Sequence, residues 1–268
     1  MNSYEKRMCD ILREGADIGG FLAVKAEFEA EGTRTDELLR LLEIARRAGV
    51  NVGVKIGGCE AIRDLIECRQ FGVDYVIAPM VETPYALSKF VAARDKVFTQ
   101  EERADIGFLF NVETITTFNN LVAMGEIAGR DKVGMVFGRV DFAGSLALDR
   151  RAVNTPETTD AVVRVAEVAA EHDVDLVVGG GVSPEAVDSL VRVRKTKLTR
   201  FETRKIIFDA ACLEDGRVMA GLALAIEFEL LWLKNKRDYY QTIGSEDDAR
   251  IMMMEARQRI KAPLRGIA

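Results

Sequence analysis

The sequence predicts one large α/β domain, a (β/α)8 TIM barrel that ends in a helical C-terminal extension. Two observations favour this fold. Short apolar runs alternate with amphipathic helical segments from about residue 20 to residue 210, and polar residues cluster where several of the runs end. The length of 268 residues and the hydrophobic content of 48% suit such a barrel, which needs about 250 residues.

Seven apolar runs are predicted to be strands, and helical segments separate them. The pairs Thr155-Pro156 and Ser183-Pro184 each place a capping hydroxyl before a proline at the first helical position. Gly49 follows a helical pattern as a typical C-terminal stop. In chain order, the seven runs cover residues 20–29, 50–58, 73–82, 105–113, 132–141, 174–181 and 200–208.

Strand followed by helix, repeated along the chain, indicates parallel strands in either a closed barrel or an open doubly wound sheet. An open dinucleotide-binding sheet needs a GxGxxG turn after its first strand, and no run ends in one. The barrel is favoured because barrel enzymes place site residues at the C-terminal ends of several strands. Either residues 10–20 supply the eighth strand, or the chain opens with a helix and closes the barrel irregularly.

The pattern changes after residue 210. Gly216–Lys236 is predicted to form one long helix, and Glu246–Lys261 forms a second charged segment. We therefore divide the chain into a barrel (1–212) and a C-terminal helical extension (213–268). The extension either packs on a neighbouring subunit of a homo-oligomer, burying Leu230, Leu231 and Trp232, or caps its own barrel.

The composition excludes several classes of protein. A formal net charge of −6, without a basic cluster interleaved with aromatic residues, argues against a nucleic-acid surface. Four scattered cysteines without a CxxC pair predict neither a disulfide framework nor a structural zinc site. The most apolar segment, Val218–Leu233, is too short to span a bilayer. We expect a cytoplasmic protein that binds neither nucleic acid nor membranes.

Polar side chains occupy one face of several predicted strands, since alternate strand residues face opposite sides. Helices cover the outer face of a barrel, so these polar side chains must point into its mouth. Burying charges there without partners would be costly, which favours a functional role. Lys25 and Glu202 fit a structural ion pair equally well. The inward set comprises Lys25, Glu27, Glu29, Lys55, Asn111, Glu113, Glu202 and Arg204.

Glu113 and Asp141 end two successive runs, with no histidine or cysteine beside them. Such carboxylates make a hard oxygen site suited to Mg²⁺ or Mn²⁺. Two protein ligands leave positions for water and a bidentate substrate, so the metal could act as a Lewis acid. The single histidine, His172, falls at the opposite end of the barrel, which argues against a histidine base or a nucleophilic triad.

At these residues the chain resembles the HpcH/HpaI aldolase/citrate lyase β-subunit family of the phosphoenolpyruvate/pyruvate barrels, over roughly residues 20–210. In that family one strand ends in the sequence hydrophobic-Glu-Thr, which supplies one metal ligand. Val112-Glu113-Thr114 matches it here. The next strand ends in a Gly-x-x-Asp-Leu-like turn that provides the other ligand, matched by Gly138–Phe142. Ala78–Thr83 is similar to the family's proline-containing fourth strand end.

The resemblance implies Mg²⁺-dependent making or breaking of a C–C bond next to a pyruvate-like or acyl group, through an enolate whose charge the metal stabilises. It also implies an arginine on the third strand that holds the keto acid, and Lys55 stands in its place. Lysine is a cation without the planar fork that grips a carboxylate. Arg139 and Arg204 are candidates for part of this role.

A second departure from the family concerns the proton carrier. The family's keto-acid aldolases place a histidine after the second strand, and Phe28 occupies that neighbourhood here. Glu27, Glu29 or Glu82 would then transfer the proton. Glu27 is favoured, because Lys25 on the same face keeps a neighbouring carboxylate ionised.

The sequence therefore predicts a metal-dependent carbon–carbon lyase of the aldolase type, acting on a small 2-keto acid or related enolate donor and an aldehyde. The predicted catalytic residues are Lys55, Glu27, Glu82 and Arg139. The predicted substrate-binding residues are Lys25, Asn111, Arg204 and Gly180, and the metal ligands are Glu113 and Asp141.

Three alternatives remain at this point. A transferase could use phosphoenolpyruvate at the same metal site, with Gly179–Gly181 exposing backbone N–H groups to the phosphate, although a tight turn also explains this run. Lys25 or Lys55 could form a Schiff base in a metal-free aldolase. The barrel could also be a catalytically inactive binding module.

Overall fold

The structure, a computed structural model, describes residues 1–260 and forms a closed eight-stranded barrel whose strands follow one another in chain order. This arrangement confirms the predicted fold class. The strands are β1 (Phe21–Glu27), β2 (Asn51–Lys55), β3 (Tyr75–Ala78), β4 (Gly107–Val112), β5 (Gly134–Gly138), β6 (Leu176–Gly179), β7 (Arg200–Glu202) and β8 (Ile206–Asp209). The α-helices are α1 (Ser3–Glu14), α2 (Thr35–Ala48), α3 (Ile62–Phe71), α4 (Pro84–Val97), α5 (Gln100–Asp105), α6 (Ile115–Asn119), α7 (Leu121–Asp131), α8 (Arg139–Ser145), α9 (Pro156–Glu171), α10 (Val187–Arg194) and α11 (Val218–Ile260). Short 3-10 helices cover Arg150–Asn154, Pro184–Ala186 and Ala210–Leu213.

The eighth strand comes from the last apolar run, which the sequence alone assigns to one strand. Residues 200–208 fold into the antiparallel pair β7 and β8. At the turn, Thr203 donates its N–H to the Ile206 carbonyl oxygen (2.9 Å), and its hydroxyl accepts the Ile206 N–H (3.2 Å). β8 also pairs antiparallel with β1, whereas β1 to β7 are parallel. The barrel thus has seven parallel strands and one reversed strand, which is the irregular closure that the sequence left open.

Residues 10–20 contain no strand, so that source of the eighth strand is wrong, and the helix-first alternative is confirmed. Asn2 caps α1 by accepting the Glu5 N–H (2.9 Å). A π-helical turn at Gly15–Gly19 then leads to Gly20, whose φ of +76° suits glycine. Because no strand precedes β1, Lys55 lies on the second strand rather than the third, and Ala78–Thr83 follows the third rather than the fourth.

Two apolar layers confirm the predicted alternation along the strands. The outer faces of the strands join the inner faces of the helices in the main core, which includes Phe110, Phe137 and Phe208. A separate small cluster fills the inside of the barrel below the mouth. It comprises Ile77, Leu109, Val136 and Val177.

The predicted helix Gly216–Lys236 and segment Glu246–Lys261 belong to one continuous helix, α11, of 43 residues, with Lys261 outside the described residues. Trp232 is buried in the core of its own barrel, whereas Leu230 is 49% exposed. α11 packs on α1, and Arg7 donates to Glu227 (2.8 Å) across this contact. None of the helices within residues 1–260 combines the length and apolarity needed to cross a membrane. The homo-oligomer and the cytoplasmic location stay predictions.

Candidate active site at the barrel mouth

The C-terminal ends of the parallel strands open into a cavity of about 460 Å³. Its lining carries six carboxylates and four cations, an excess of negative charge that one divalent cation would neutralise. Most of the predicted site residues meet here. The charged lining residues are Lys25, Glu27, Glu29, Lys55, Glu113, Asp141, Arg150, Glu202, Arg204 and Glu229.

A larger groove of about 780 Å³ lies between α1, α2 and α11. Its buried carboxylates are already paired, because Arg40 donates to Glu5 (2.9 Å) and the Tyr240 hydroxyl donates to Glu37 (2.7 Å). These contacts join helices to one another. The mouth is the better candidate for an active site, since the strand ends and most of the predicted site residues converge there.

Lys25, Glu27 and Glu202 form a buried cluster on one side of the mouth. Nζ of Lys25 lies 2.5 Å from Glu202 Oε1 and 3.2 Å from Glu27 Oε1. Burial acts to lower the pKa of Lys25, but Glu202 and Glu27 outweigh burial and raise it. Burial acts to raise the pKa of Glu27, but Lys25 and Lys55 outweigh it and lower that pKa. Lys25 and Glu27 therefore both stay ionised at neutral pH.

Lys55, at the end of β2, lies between two carboxylates. Its Nζ is 3.1 Å from Glu29 Oε2 and 3.7 Å from Glu113 Oε2. Burial acts to lower the pKa of Lys55, and the carboxylates of Glu113 and Glu29 more than offset this, so the pKa is raised. Lys55 is thus a fixed ammonium beside one of the two candidate metal ligands.

Glu113 directly follows β4 and is almost fully buried. Its Oε1 accepts the Met80 N–H (2.8 Å), and its Oε2 accepts from Asn111 Nδ2 (2.7 Å). Met80 has a φ of +51°, a left-handed conformation that costs a non-glycine residue about 1–3 kcal/mol. Burial raises the pKa of Glu113 despite the opposing effects of Lys55, the Met80 N–H and Asn111. A cation beside this carboxylate would offset its unfavourable buried charge.

Asp141 lies in the first turn of α8, exposed at the cavity, and has no ion pair among residues 1–260. Gly138 leaves room for the Glu113 side chain, since a Cβ there would lie 2.9 Å from Glu113 Cβ. Buried Asn111 Oδ1 has no hydrogen-bond partner within the described chain. These oxygens fit Mg²⁺ or Mn²⁺. Residues 1–260 hold no cluster of three or more Asp, Glu, His or Cys side chains placed to bind a metal, so the chain would provide two carboxylate ligands.

The glycine run after β6 has a packing role. Gly180 has a φ of +78°, and a Cβ there would lie 2.7 Å from the Val140 backbone nitrogen. A Cβ at Gly179 would lie 3.0 Å from Glu202 Oε1. The run thus brings the end of β6 against the start of α8 and leaves room for the Lys25 cluster. The Ser183 hydroxyl hydrogen-bonds to Glu185 (2.5 Å) and does not cap the 3-10 helix Pro184–Ala186, which corrects the predicted cap.

Arg139, a predicted catalytic residue, does not reach the cavity. Its side chain is 2% exposed, and it donates to the Gly179 carbonyl oxygen (3.2 Å) and to Asn154 Oδ1 (3.0 Å). Burial lowers the pKa of Arg139 to about 10. The guanidinium therefore joins β6 to the 3-10 helix Arg150–Asn154 from below the site, which corrects the expectation that it holds substrate.

Glu82 and Arg204 are also placed differently from the prediction. Glu82 follows β3 outside the cavity lining, and its backbone carbonyl accepts from Asn120 Nδ2 (3.0 Å). Arg204 lines the cavity only at its rim, on the β7–β8 turn, because the reversal of the chain there ends the strand alternation. Its side chain is 63% exposed and lies 3.7 Å from Glu31 and 3.9 Å from Glu229.

Sequence reasoning missed Lys205, Arg150 and Glu229. Strand alternation predicts that Lys205, next to the inward-facing Arg204, faces outwards. The β7–β8 turn instead buries Lys205 against Glu31, with its ammonium 5.6 Å from the centre of the Trp232 ring. Arg150 comes from a 3-10 helix and Glu229 from α11, and both line the cavity. Strand alternation contains no signal for side chains that reach the mouth from helices.

Comparison with known proteins places these features in context. The sequence profile of the HpcH/HpaI aldolase/citrate lyase family matches residues 29–191, more than half of the chain. An HpcH/HpaI aldolase from Desulfitobacterium hafniense DCB-2 has a similar structure (16% identity, TM-score 0.60, covering 78% of this chain and 85% of that chain). So does an HpcH/HpaI aldolase/citrate lyase family protein from Burkholderia cenocepacia J2315 (12% identity, TM-score 0.62, covering 89% and 90%). The citrate synthase SbnG is similar as well (16% identity, TM-score 0.58, covering 82% and 89%). At these identities the structural likeness bears on the fold alone. No curated protein matches the chain.

Proposed function

The chain belongs to the HpcH/HpaI aldolase/citrate lyase family, and we propose that it is a divalent-metal-dependent carbon–carbon lyase of the aldolase type. Its substrates are a small 2-keto acid or related enolate donor and an aldehyde. The observation that carries the proposal is the carboxylate pair Glu113 and Asp141 in a cavity with more carboxylates than cations. Bound there, Mg²⁺ or Mn²⁺ supplies a Lewis acid that polarises the keto oxygen and offsets negative charge on the donor.

Lys55 supplies a fixed positive charge for the donor. Its ammonium lies 3.7 Å from Glu113 Oε2, so a keto acid beside Glu113 would place its carboxylate or its developing enolate oxygen near this cation. An ammonium is a point charge and holds an anion less directionally than a guanidinium. Lys55 therefore attracts the donor, whereas the orientation of the donor depends on other contacts.

Glu27 is the proton carrier in this proposal. Its lowered pKa keeps it ionised, the form that a general base requires. In the cleavage direction it takes the proton of the hydroxyl group whose carbon becomes the aldehyde. The C–C bond then breaks, its electron pair passes to the donor, and a proton from Glu27 reaches the donor carbon. Glu202 holds Lys25, and Lys25 in turn holds Glu27.

The observations favour none of the alternatives. The raised pKa values of Lys25 and Lys55 keep both as ammonium ions, whereas a Schiff-base lysine must be neutral to attack a carbonyl. The close packing of Gly180 against α8 accounts for the glycine run without a phosphate. An inactive binding module would not explain why Glu113, a buried carboxylate with a raised pKa, lies in the same cavity as the unpaired Asp141.

Metal titration tests the proposal. We expect Glu113→Gln and Asp141→Asn to weaken Mn²⁺ binding, measured by calorimetry, at least about tenfold relative to the parent protein. Glu229→Gln is the matched control, because Glu229 is a cavity carboxylate at the rim, and we expect it to leave Mn²⁺ affinity unchanged. If the Glu113 and Asp141 variants bind Mn²⁺ as the parent does, the metal site is rejected.

A further inference from the structure

Arg150 differs from the other cations of the mouth. Lys25, Lys55 and Arg204 each have a carboxylate within 4.0 Å. Arg150 lines the same cavity and has neither an ion pair nor a side-chain hydrogen bond to any residue between 1 and 260. Arg150 is thus the one cation of the lining that no described carboxylate neutralises.

The backbone that presents Arg150 is firmly held, although the side chain is exposed. Arg139 Nη1 donates to Asn154 Oδ1 (3.0 Å) at the other end of the 3-10 helix. The Thr158 hydroxyl donates to the Ala152 carbonyl oxygen (2.7 Å). Val153 is buried on the glycine turn after β6, where a Cβ at Gly181 would lie 3.6 Å from its Cγ2. These buried contacts therefore fix the position of the backbone from which the Arg150 side chain extends.

Arg150 and Asp141 both line the mouth, and they come from one segment that runs from α8 into the 3-10 helix. A guanidinium binds carboxylate and phosphate groups through paired hydrogen bonds. A divalent cation at Glu113 and Asp141 would offset the surplus of negative charge in the cavity, and Arg150 would then attract an anion there. Arg139 and Asp141 of this segment were predicted site residues, whereas Arg150 was not.

We propose that Arg150 binds an anionic group, a carboxylate or a phosphate, on the aldehyde partner, and so selects charged aldehydes over neutral ones. The proposal rests on the proposed aldolase function for its substrate. Lys55 and the carboxylate pair Glu113 and Asp141 act on the donor. Arg150 thus determines specificity for the acceptor and does not form the donor enolate.

The chain offers a matched control on the same 3-10 helix. The Arg151 side chain is 93% exposed, pairs with Asp149 (2.7 Å) and does not line the cavity. The test compares Arg150→Gln, Arg150→Lys and Arg151→Gln with the parent protein, with Mn²⁺ and pyruvate present. The acceptors are glycolaldehyde, which is neutral, glyoxylate, which carries a carboxylate, and glycolaldehyde phosphate.

We expect Arg150→Gln to lower kcat/KM for an anionic aldehyde about tenfold or more while leaving kcat/KM for glycolaldehyde unchanged. Arg150→Lys should recover part of the loss, and Arg151→Gln should behave as the parent. Loss with glyoxylate identifies a carboxylate site, and loss with glycolaldehyde phosphate identifies a phosphate site. Equal kcat/KM values for Arg150→Gln and Arg151→Gln on all three aldehydes would overturn the proposal.

A binding measurement separates this proposal from the proposed function. Succinate and inorganic phosphate are titrated calorimetrically into the Mn²⁺-loaded protein, without turnover. We expect at least one of them to bind the parent and Arg151→Gln alike and to bind Arg150→Gln about tenfold more weakly. If neither anion's affinity depends on Arg150, the anion site is rejected even when aldolase activity is present. If the dependence is found without aldolase activity, the anion site stands and the proposed reaction fails.

Discussion

At the residue scale, charge pairing distinguishes side chains that maintain the mouth from those left to bind a ligand. Lys25 and Glu202 were equally compatible with a structural and a functional role, and their 2.5 Å contact makes them the support of Glu27. Asp141 and Arg150 have no such partners within residues 1–260. We therefore assign binding to these two, one for a cation and the other for an anion.

Gly180 provides a stability prediction at this scale. Gly180→Ala brings a Cβ to within 2.8 Å of two backbone nitrogens at a φ of +78°, so both strain and overlap oppose it. Gly216→Ala has a similar φ of +75° with nothing within 4 Å of the new Cβ. We expect urea unfolding to show a loss of about 1 kcal/mol for Gly216→Ala and about 3 kcal/mol for Gly180→Ala. Equal losses would show that the packing against α8 is looser than described.

At the element scale, the closure of the barrel separates what the sequence could predict from what it could not. Apolar runs bounded by helices locate β1 to β6, because each parallel strand is followed by its own helix. The run at 200–208 hides a hairpin, since its turn, Thr203 to Lys205, is charged but contains neither glycine nor proline. The same turn explains why Lys205, expected to face outwards, is buried and why Arg204 reaches only the rim.

The packing of α11 yields an element-scale prediction. Trp232→Ala removes a buried ring from the core and should destabilise the protein by about 3–5 kcal/mol. Leu230→Ala removes a half-exposed side chain two residues away and should change stability by less than about 0.5 kcal/mol. Thermal or urea unfolding of both variants measures the difference. A loss for Leu230→Ala as large as that for Trp232→Ala would mean that a further surface, such as a neighbouring subunit, covers Leu230.

At the scale of the whole molecule, ionic contacts between distant elements predict how stability depends on pH. The pKa of Glu37 is lowered, since Lys236, the Tyr240 hydroxyl and the Arg34 N–H together outweigh burial. The pKa of Glu5 is lowered against burial mainly by Arg40. A carboxyl group with a lowered folded-state pKa stabilises the protein above its unfolded-state pKa, and this contribution is lost as pH falls through the lowered value. We expect the free energy of unfolding to decrease below about pH 4.5.

Glu37→Gln tests this dependence and should flatten the decrease in stability between neutral and acidic pH. Glu126→Gln is its control, because Glu126 is exposed and has no ion pair within the described chain. Urea unfolding at a series of pH values provides the measurement. An unchanged pH dependence in Glu37→Gln would contradict the assignment of acid stability to the contacts that join α2 to α11.

The site residues that lie on strands could be predicted from the sequence, whereas two that lie on helices could not. Lys25, Glu27, Lys55, Asn111 and Glu113 follow from strand alternation, since a barrel turns one face of every strand inwards. Arg150 and Glu229 enter the mouth from helices, and helical spacing alone does not tell which turn of a helix reaches a strand end. The buried position of Arg139 depends on the Gly180 turn, a contact between segments that are 40 residues apart.

Hydrogen–deuterium exchange at the pyruvate methyl group tests the proposed metal-dependent chemistry at Glu113 and Asp141 most directly, because it would report enolate formation without knowledge of the acceptor. The protein is incubated with pyruvate and Mn²⁺ in D₂O, and the methyl signal is followed by NMR. We predict metal-dependent exchange in the parent protein and in Glu229→Gln, and its loss in Glu113→Gln and Asp141→Asn. Absence of exchange in the Mn²⁺-loaded parent with pyruvate, oxaloacetate and acyl donors alike would rule out the proposed enolate chemistry.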